Sequence, residues 1–470
     1  MQDGRGATRE RRAIFALIGV LAGLWAANAT GIVASNDGSH VALARALGVR
    51  FETSIDPDWR LTVGVDLAER QGRLYSDRPP GTGFLAAPAA WLGARLDGPL
   101  LERSRAVGGT VVTPGSRGMR KTYAQRYPDA TPLDAYQGTA WWISLHAVGV
   151  ATLGLAFLDA LLRLWGIGFA ARAFAVATTG ACTLFGPYAT ALFSHGTAAS
   201  AMAALVYALA ALPGSQDRAR ALSLLGGFAG AIAVAAEYSL VAWVPLAVLF
   251  TTPPRHWTWL AAGALPVALA TGAYHAAAFG SPFSIGYHHH VTFDFSHRLS
   301  TTFGGDPLGG LWVLFGAGQR AGLLWKSPVV FVGIAALVLG PGRATDGHAN
   351  IDRRTTRLLL ASGVPWMLLL SFHETPWGGA TVDYRYLIPA LPLFGAGLAL
   401  AWERWANDMA GAAGIVALAL YSGISVWTRF LQWHGGPAFA SPLTGLFVAA
   451  LIAGAGWALA PRLAAVREGS

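Results

Sequence analysis

The sequence predicts an all-α, polytopic membrane protein with about twelve transmembrane helices and a long extracytoplasmic loop, carrying interfacial helices, after the first of them. Composition is the first ground. Of 470 residues, 54% are hydrophobic and 13% charged, with 18 Trp, where a soluble domain carries about a quarter charged residues. Apolar runs close to the roughly 20 residues that cross a bilayer recur along the chain, which is the second ground. The third is that the basic residues are nearly all Arg, placed in short clusters between those runs. The net charge of +9 therefore reads as membrane orientation and not as a nucleic-acid-binding face. Cys182 is the single cysteine, which excludes an intramolecular disulfide and a Cys-rich metal site.

The N-terminus has the positive flank of a signal peptide. Its apolar run of about 22 residues is long enough to be retained as the first span, near 13–35. Further spans are expected near 138–163, 170–192, 195–213, 221–237, 239–253 and 257–279, then near 326–340, 356–372, 383–402, 409–427 and 443–461. With the N-terminus inside, sixteen Arg fall in inside segments, and only Arg385 and Arg429 lie in short outside connections. That bias holds if 36–137 stays outside, so the apolar stretch 84–96, which contains a proline, lies in the interface. Five regions follow. They are 1–35 (cytoplasmic N-terminus and first helix), 36–137 (long outer loop with the candidate site), 138–279 (helices two to seven), 280–325 (outer loop, a candidate substrate cover) and 326–470 (helices eight to twelve, C-terminus cytoplasmic). The membrane is the cytoplasmic one, with the site on its outer face.

Polar residues gather in the two outer loops. Asn36 and Asp37 open the first: they either cap a short amphipathic helix or offer a carboxylate at the membrane surface. In "YSDRPPGTG" (75–83), two prolines remove backbone donors beside a charge pair. This is either a hydrated turn into a helix, or a stiff mount that aims Arg78 at an anion, whose oxygens a guanidinium grips in pairs. Lys326 reads as a snorkelling residue or a phosphate contact. Arg385 reads as a partner for Asp383 or Glu374, or as a second phosphate contact. His195 is either a hydrogen-bonded core histidine or a substrate contact. His288, His289 and His290 have metal spacing only with help from His297 or Asp294, so a loop covering the site is the preferred reading. No metal or other cofactor is assigned, because the ligand spacing does not support one.

An N-terminal span, an acid opening a long outer loop, then a basic residue before Pro-Pro and an interfacial helix resemble bacterial GT-C glycosyltransferases of the family 39, ArnT-like and protein-mannosyltransferase-like group. "LFGPYATALFSHGTAAS" (184–200), "RAGLLWKSPVV" (320–330) and "ETPWGGATVDYRYLIPALPL" (374–393) are similar to further pieces of that family, in the same order and on the same side. The resemblance implies a sugar donor on a polyprenyl phosphate, bound among membrane lipids. The acceptor is an unidentified glycan, lipid or protein, and nucleic acid plays no part. It implies Asp37 as general base and Arg78 as the phosphate contact, with Tyr75, Lys326 and Arg385 beside it. Asp66, Asp77, His195 and Trp377 are the implied substrate contacts. Many relatives carry two adjacent acids where this chain has Asn36-Asp37, so the second acid is Asp66 or Asp77, or is absent. The expected chemistry is one inverting displacement. The rival class is a polytopic transporter or lipid flippase, for which twelve spans are equally suited. Neither paired half-sequences nor midplane polar residues are visible to support it.

Overall fold

A computed structural model describes residues 4–434, apart from 30, 215–216, 317–321, 341–352, 379–382 and 407–408, together with a few residues between 448 and 458. The expected span at 443–461 lies largely outside the described residues.

Helix α1 (Gly4–Ala27) begins among the N-terminal arginines and ends earlier than expected, at Ala27. The chain then leaves helical geometry through Gly31, whose φ of +66° suits glycine, and a Cβ there would meet Pro114 O at 2.6 Å. Helix α2 (Ser35–Arg45) follows. Nine of its residues are buried, so it is enclosed on all sides and is not the amphipathic surface helix expected there. A short hairpin pairs β1 (Ala68–Arg70) with β2 (Arg73–Tyr75) around Gln71 and Gly72, both at positive φ. Pro79 and Pro80 then lead directly into α3 (Gly81–Ala106), a 26-residue helix that runs on through Pro88 and Pro99. Helix α4 (Arg117–Arg126) completes the loop, capped by Ser116, whose Oγ accepts from Met119 N at 3.1 Å. The loop has its own apolar core, built from Ile32, Leu43, Ile55, Leu61, Tyr75, Ala86, Met119 and Tyr123. It is a folded cap and not a tether.

The bundle follows as α5 (Gln137–Leu164), α6 (Phe169–Cys182), α7 (Phe185–Tyr188), α8 (Ser194–Ala211), α9 (Ala219–Ala236), α10 (Val244–Thr251) and α11 (Trp257–Phe279). Short helices α12 (Leu299–Thr302), α13 (Pro307–Phe315) and α14 (Leu323–Lys326) precede α15 (Val329–Leu339), α16 (Arg353–Ser371), α17 (Leu391–Trp405) and α18 (Met409–His434). Six segments among the described residues are long and apolar enough to cross a membrane: 133–164, 194–214, 219–236, 254–279, 385–405 and 409–428. The chain is thus a multi-pass, all-α membrane protein.

Small residues let the helices approach. A Cβ on Gly227 would lie 1.9 Å from Leu260 O, and one on Gly263 would lie 2.2 Å from Leu224 O, so α9 and α11 meet backbone to backbone. Gly93 of α3 and Gly138 of α5 form a similar pair, at 2.6 and 2.3 Å from each other's carbonyls. The bundle has two polar ends. At one, Arg172 lies between Glu10 (2.8 Å) and Asp159 (3.6 Å), and Arg163 pairs with Asp159 at 2.8 Å. The other end carries the folded loop and the candidate site.

Candidate functional site

Two charged clusters stand at the loop end, joined by imidazoles, phenols and one glutamate. The first is built on the hairpin and the turn after it. Arg78 pairs with Asp66, and its Nε lies 3.2 Å from Asp77 Oδ2. Asp77 is wholly buried and accepts from Ser39 Oγ of α2 at 3.2 Å, while Ser39 also meets Ser76 at 2.8 Å. His290 closes the group, with Nε2 3.4 Å from Asp77 Oδ2. It arrives on a segment bound to the hairpin by Val291 N donating to Leu67 O at 2.9 Å. Ligand atoms of Asp66, Asp77 and His290 lie within 4.8 Å of one another, as a metal site would require. Yet His290 Nδ1 accepts from Thr292 N and Phe293 N at 2.9 and 3.0 Å, so the neutral ring carries its proton on Nε2 and turns no lone pair toward the carboxylates. Arg78 already supplies the positive charge, so Arg78, Asp66 and Asp77 form an ion-pair cluster with the His290 ring packed against it. The three consecutive histidines diverge as expected: His288 is exposed, His289 bonds Ser284 at 2.9 Å and stacks on Phe279, and His290 turns inward.

The second cluster lies where α14 and the start of α17 meet α7. Tyr188 OH donates to Asp383 Oδ2 at 2.8 Å, and Arg385 N donates to Asp383 Oδ1 at 3.0 Å. Lys326 and Arg385 both act electrostatically on Asp383, and Lys326 is 1% exposed, so it is enclosed and does not snorkel. Tyr384 OH bridges Ser327 Oγ at 2.5 Å and Leu184 N at 3.1 Å. Trp377 is half-buried, and a Cβ on its neighbour Gly378 would lie 2.5 Å from Arg385 Nε, so this turn wraps the guanidinium.

Between the clusters lie His40 of α2, His195 at the start of α8, Glu237 just past α9, Tyr287, His373 and Tyr386. His195 Nδ1 is 2.6 Å from Glu237 Oε1, which also accepts from Ser194 Oγ. His195 stands edge-on to Tyr386, with centroids 5.7 Å apart, and Tyr386 meets His373 at 5.2 Å. Tyr386 lies within electrostatic reach of Arg385, Arg78 and Glu237, which ties the two clusters into one site. Burial first, and then Arg78, holds His40 down to about 3. Burial and then Arg385 hold His373 down to about 4. Both rings are neutral near pH 7.

Asp37 stands apart as the third residue of α2, fully buried. Its two oxygens accept from Val33 N and Ala34 N, each at 2.7 Å. Burial pushes its carboxyl up to about 7 against the pull of those donors. It shares a face of α2 with His40, one turn on. Tyr75 packs its ring on Phe279 at 5.5 Å in the loop core. Of the nine residues singled out in the sequence, Asp66, Asp77, Arg78, His195, Lys326, Arg385 and Trp377 converge on the two clusters. Asp37 is one helical turn away and Tyr75 packs behind.

Glu237, His40, Tyr287, His373 and Tyr386 were not picked from the sequence. Glu237 had a readable signal. It is the only acid between Asp217 and Asp294, at the seam of two apolar runs, where an ionisable residue marks a functional site by default.

Beside the site an apolar crevice of about 1110 Å³ runs between α9, α10 and α11, lined by Val234, Val244, Leu260 and Val267. At one end it reaches Tyr238 and His275, which bond each other at 2.7 Å, and the Tyr238 ring meets Tyr287 at 6.0 Å.

No protein-family model matches the chain, and no curated protein matches it. Among solved structures the chain is similar to the crystal structure of ArnT from Cupriavidus metallidurans bound to undecaprenyl phosphate. The TM-score is 0.45 at 12% identity, over 96% of this chain and 77% of that one. A likeness of that degree carries no assignment of residue roles, which rest on the geometry above.

Proposed function

We propose that the chain is an integral-membrane glycosyltransferase. It moves a sugar from a polyprenyl-phosphate donor to an acceptor hydroxyl at the extracytoplasmic face of the cytoplasmic membrane. The observation that carries this reading is the gathering of Arg78, Lys326 and Arg385 with buried acids and imidazoles at one end of an apolar bundle, next to an apolar crevice. The donor has the same two-part character. Its prenyl chain suits the crevice between α9, α10 and α11, and its phosphate suits the cations of the neighbouring site, beyond Tyr238 and Tyr287 at the crevice end.

In the reaction the acceptor oxygen forms a bond to the anomeric carbon as the bond from that carbon to the phosphate oxygen breaks, in one inverting displacement. Asp37 takes the hydroxyl proton. A carboxyl near 7 is a stronger base than an ordinary carboxylate and is about half ionised at pH 7, which suits a general base at neutral pH. The cations meet the charge that collects on the departing phosphate.

The test is turnover in proteoliposomes containing undecaprenyl-phosphate hexoses, followed by mass. Loss of the hexose mass from the donor, with undecaprenyl phosphate appearing, is the expected result. Passage of the intact donor across the bilayer, with no change in its mass, would overturn this reading in favour of a flippase.

A further inference from the structure

Resting on the glycosyl-transfer reading, one feature of the site has no role in it: the contact between His195 and Glu237. The cations available to a departing phosphate are each shared with carboxylates. Arg78 is held by Asp66 and Asp77, and Lys326 and Arg385 share Asp383. When the bond to the sugar breaks, the phosphate gains a full negative charge, and these cations are already partly spent. A group that delivers a proton would meet that charge directly.

We propose that His195, positioned by Glu237, is the proton donor to the departing phosphate. His195 is 3% exposed, at the first turn of α8, and its Nε2 has no partner among the described residues. Its Nδ1 lies 2.6 Å from Glu237 Oε1, close enough for a hydrogen bond though off its line, as catalytic contacts often are before substrate tightens them. A carboxylate at Nδ1 fixes one proton there, sets the ring's orientation and directs Nε2 into the site; the donor form is the imidazolium, whose second proton sits on Nε2. The groups facing His195 are Glu237 after α9, Tyr188 of α7 at 5.9 Å and Tyr386 before α17 at 5.7 Å; His40 of α2 lies within electrostatic reach. Tyr188 and Tyr386 belong to the Arg385 cluster, while His40 also feels Arg78. His195 therefore stands between the two groups of cations. Of the three imidazoles joining the clusters, His40 and His373 are held neutral by burial, and His195 is the one set against a carboxylate.

The protons balance. The electron pair of the breaking bond stays on the phosphate oxygen, which takes the Nε2 proton. Asp37 takes the proton of the acceptor hydroxyl. The sum moves one proton from acceptor to polyprenyl phosphate, and both side chains reset by exchange with water. Glu237 is a positioning residue that acts through His195.

The experiment follows undecaprenyl-phosphate release from undecaprenyl-phosphate hexoses by the full chain in nanodiscs, between about pH 5.5 and 9. If the wild type turns over none of these donors, the glycosyltransferase reading itself falls. Given turnover, His195→Ala lowers kcat by about 10²–10³-fold with KM within about threefold. It also removes the decline in rate at high pH and is partly rescued by imidazole in the buffer. Glu237→Gln, nearly isosteric, lowers kcat and moves the high-pH limb without moving KM, and it carries the test should His195→Ala fail to fold. A His195→Ala rate within threefold of wild type, or a loss with an unchanged pH profile and no imidazole rescue, would overturn the proposal and leave the transfer reading standing.

Discussion

Asp37 ties activity and stability together with opposite signs. Its carboxyl moves from 3.8 to about 7, which corresponds to about 4 kcal/mol between the protonated and ionised forms. In the unfolded chain it ionises near 4, and in the folded protein it keeps its proton until about 7. Between those values the unfolded state releases a proton that the folded state retains. Stability from this residue is thus fully present below about 4, falls by about 4 kcal/mol as pH rises to about 7, and is level above. Catalysis runs the other way. A general base works ionised, so the transfer rate rises with pH to a midpoint near 7. Asp37→Asn removes the charge but leaves one of Val33 N and Ala34 N facing an amide donor, at a cost of about 1–3 kcal/mol. Above pH 7 that cost is offset by relief of the buried charge, so the variant folds about as well as wild type there and loses the slope between 4 and 7. Transfer falls by about 10²-fold or more. Thermal melts and initial rates across pH, on both proteins, check this. A wild-type rate that is flat from pH 5.5 to 8, or Asp37→Asn activity above a tenth of wild type, would exclude Asp37 as the base.

Other perturbations follow from the same contacts. Arg78→Ala strands the carboxylates of Asp66 and Asp77, both nearly or wholly buried, and should cost about 3–5 kcal/mol. Adding Asp66→Asn should recover part of the lost melting temperature, whereas independent residues would simply add their losses. Gly93→Ala places a Cβ 2.6 Å from Gly138 O, where α3 crosses α5, and should destabilise by about 1–3 kcal/mol. Gly98→Ala, with open space around it, should be neutral in the same melts.

What could be read from the sequence was what local chemistry determines. Proline fixes backbone and removes donors, so Pro79-Pro80 announced the entry to α3 at Gly81. Apolar length announced most of the bundle. The failures all involve distant partners. Asp66 and Arg78 are twelve residues apart in sequence and are joined by a hairpin whose turn, Gln71-Gly72, sits between two three-residue strands too short to show an alternating pattern. Helix α2 carries Asn36, Asp37, Ser39 and His40, a composition that reads as a wet face. It is buried because the turn Trp59–Thr62, Ser76 and Asp77 after the hairpin, α3 and the backbone of Val33 and Ala34 surround it. Glu237 and His195 lie forty-two positions apart, and nothing local shows that the end of α9 meets the start of α8. The site is legible as a set of polar residues between the apolar runs, but its pairings are tertiary.

The proposed transfer requires a polyprenyl phosphate whose chain occupies the crevice and whose phosphate reaches the cations beside it. Native mass spectrometry of the gently solubilised protein tests it most directly. The expected result is a bound lipid of polyprenyl-phosphate mass, with or without a sugar, that exchanges with added undecaprenyl phosphate. Retention of diacyl phospholipids alone, undisplaced by undecaprenyl phosphate, would contradict it.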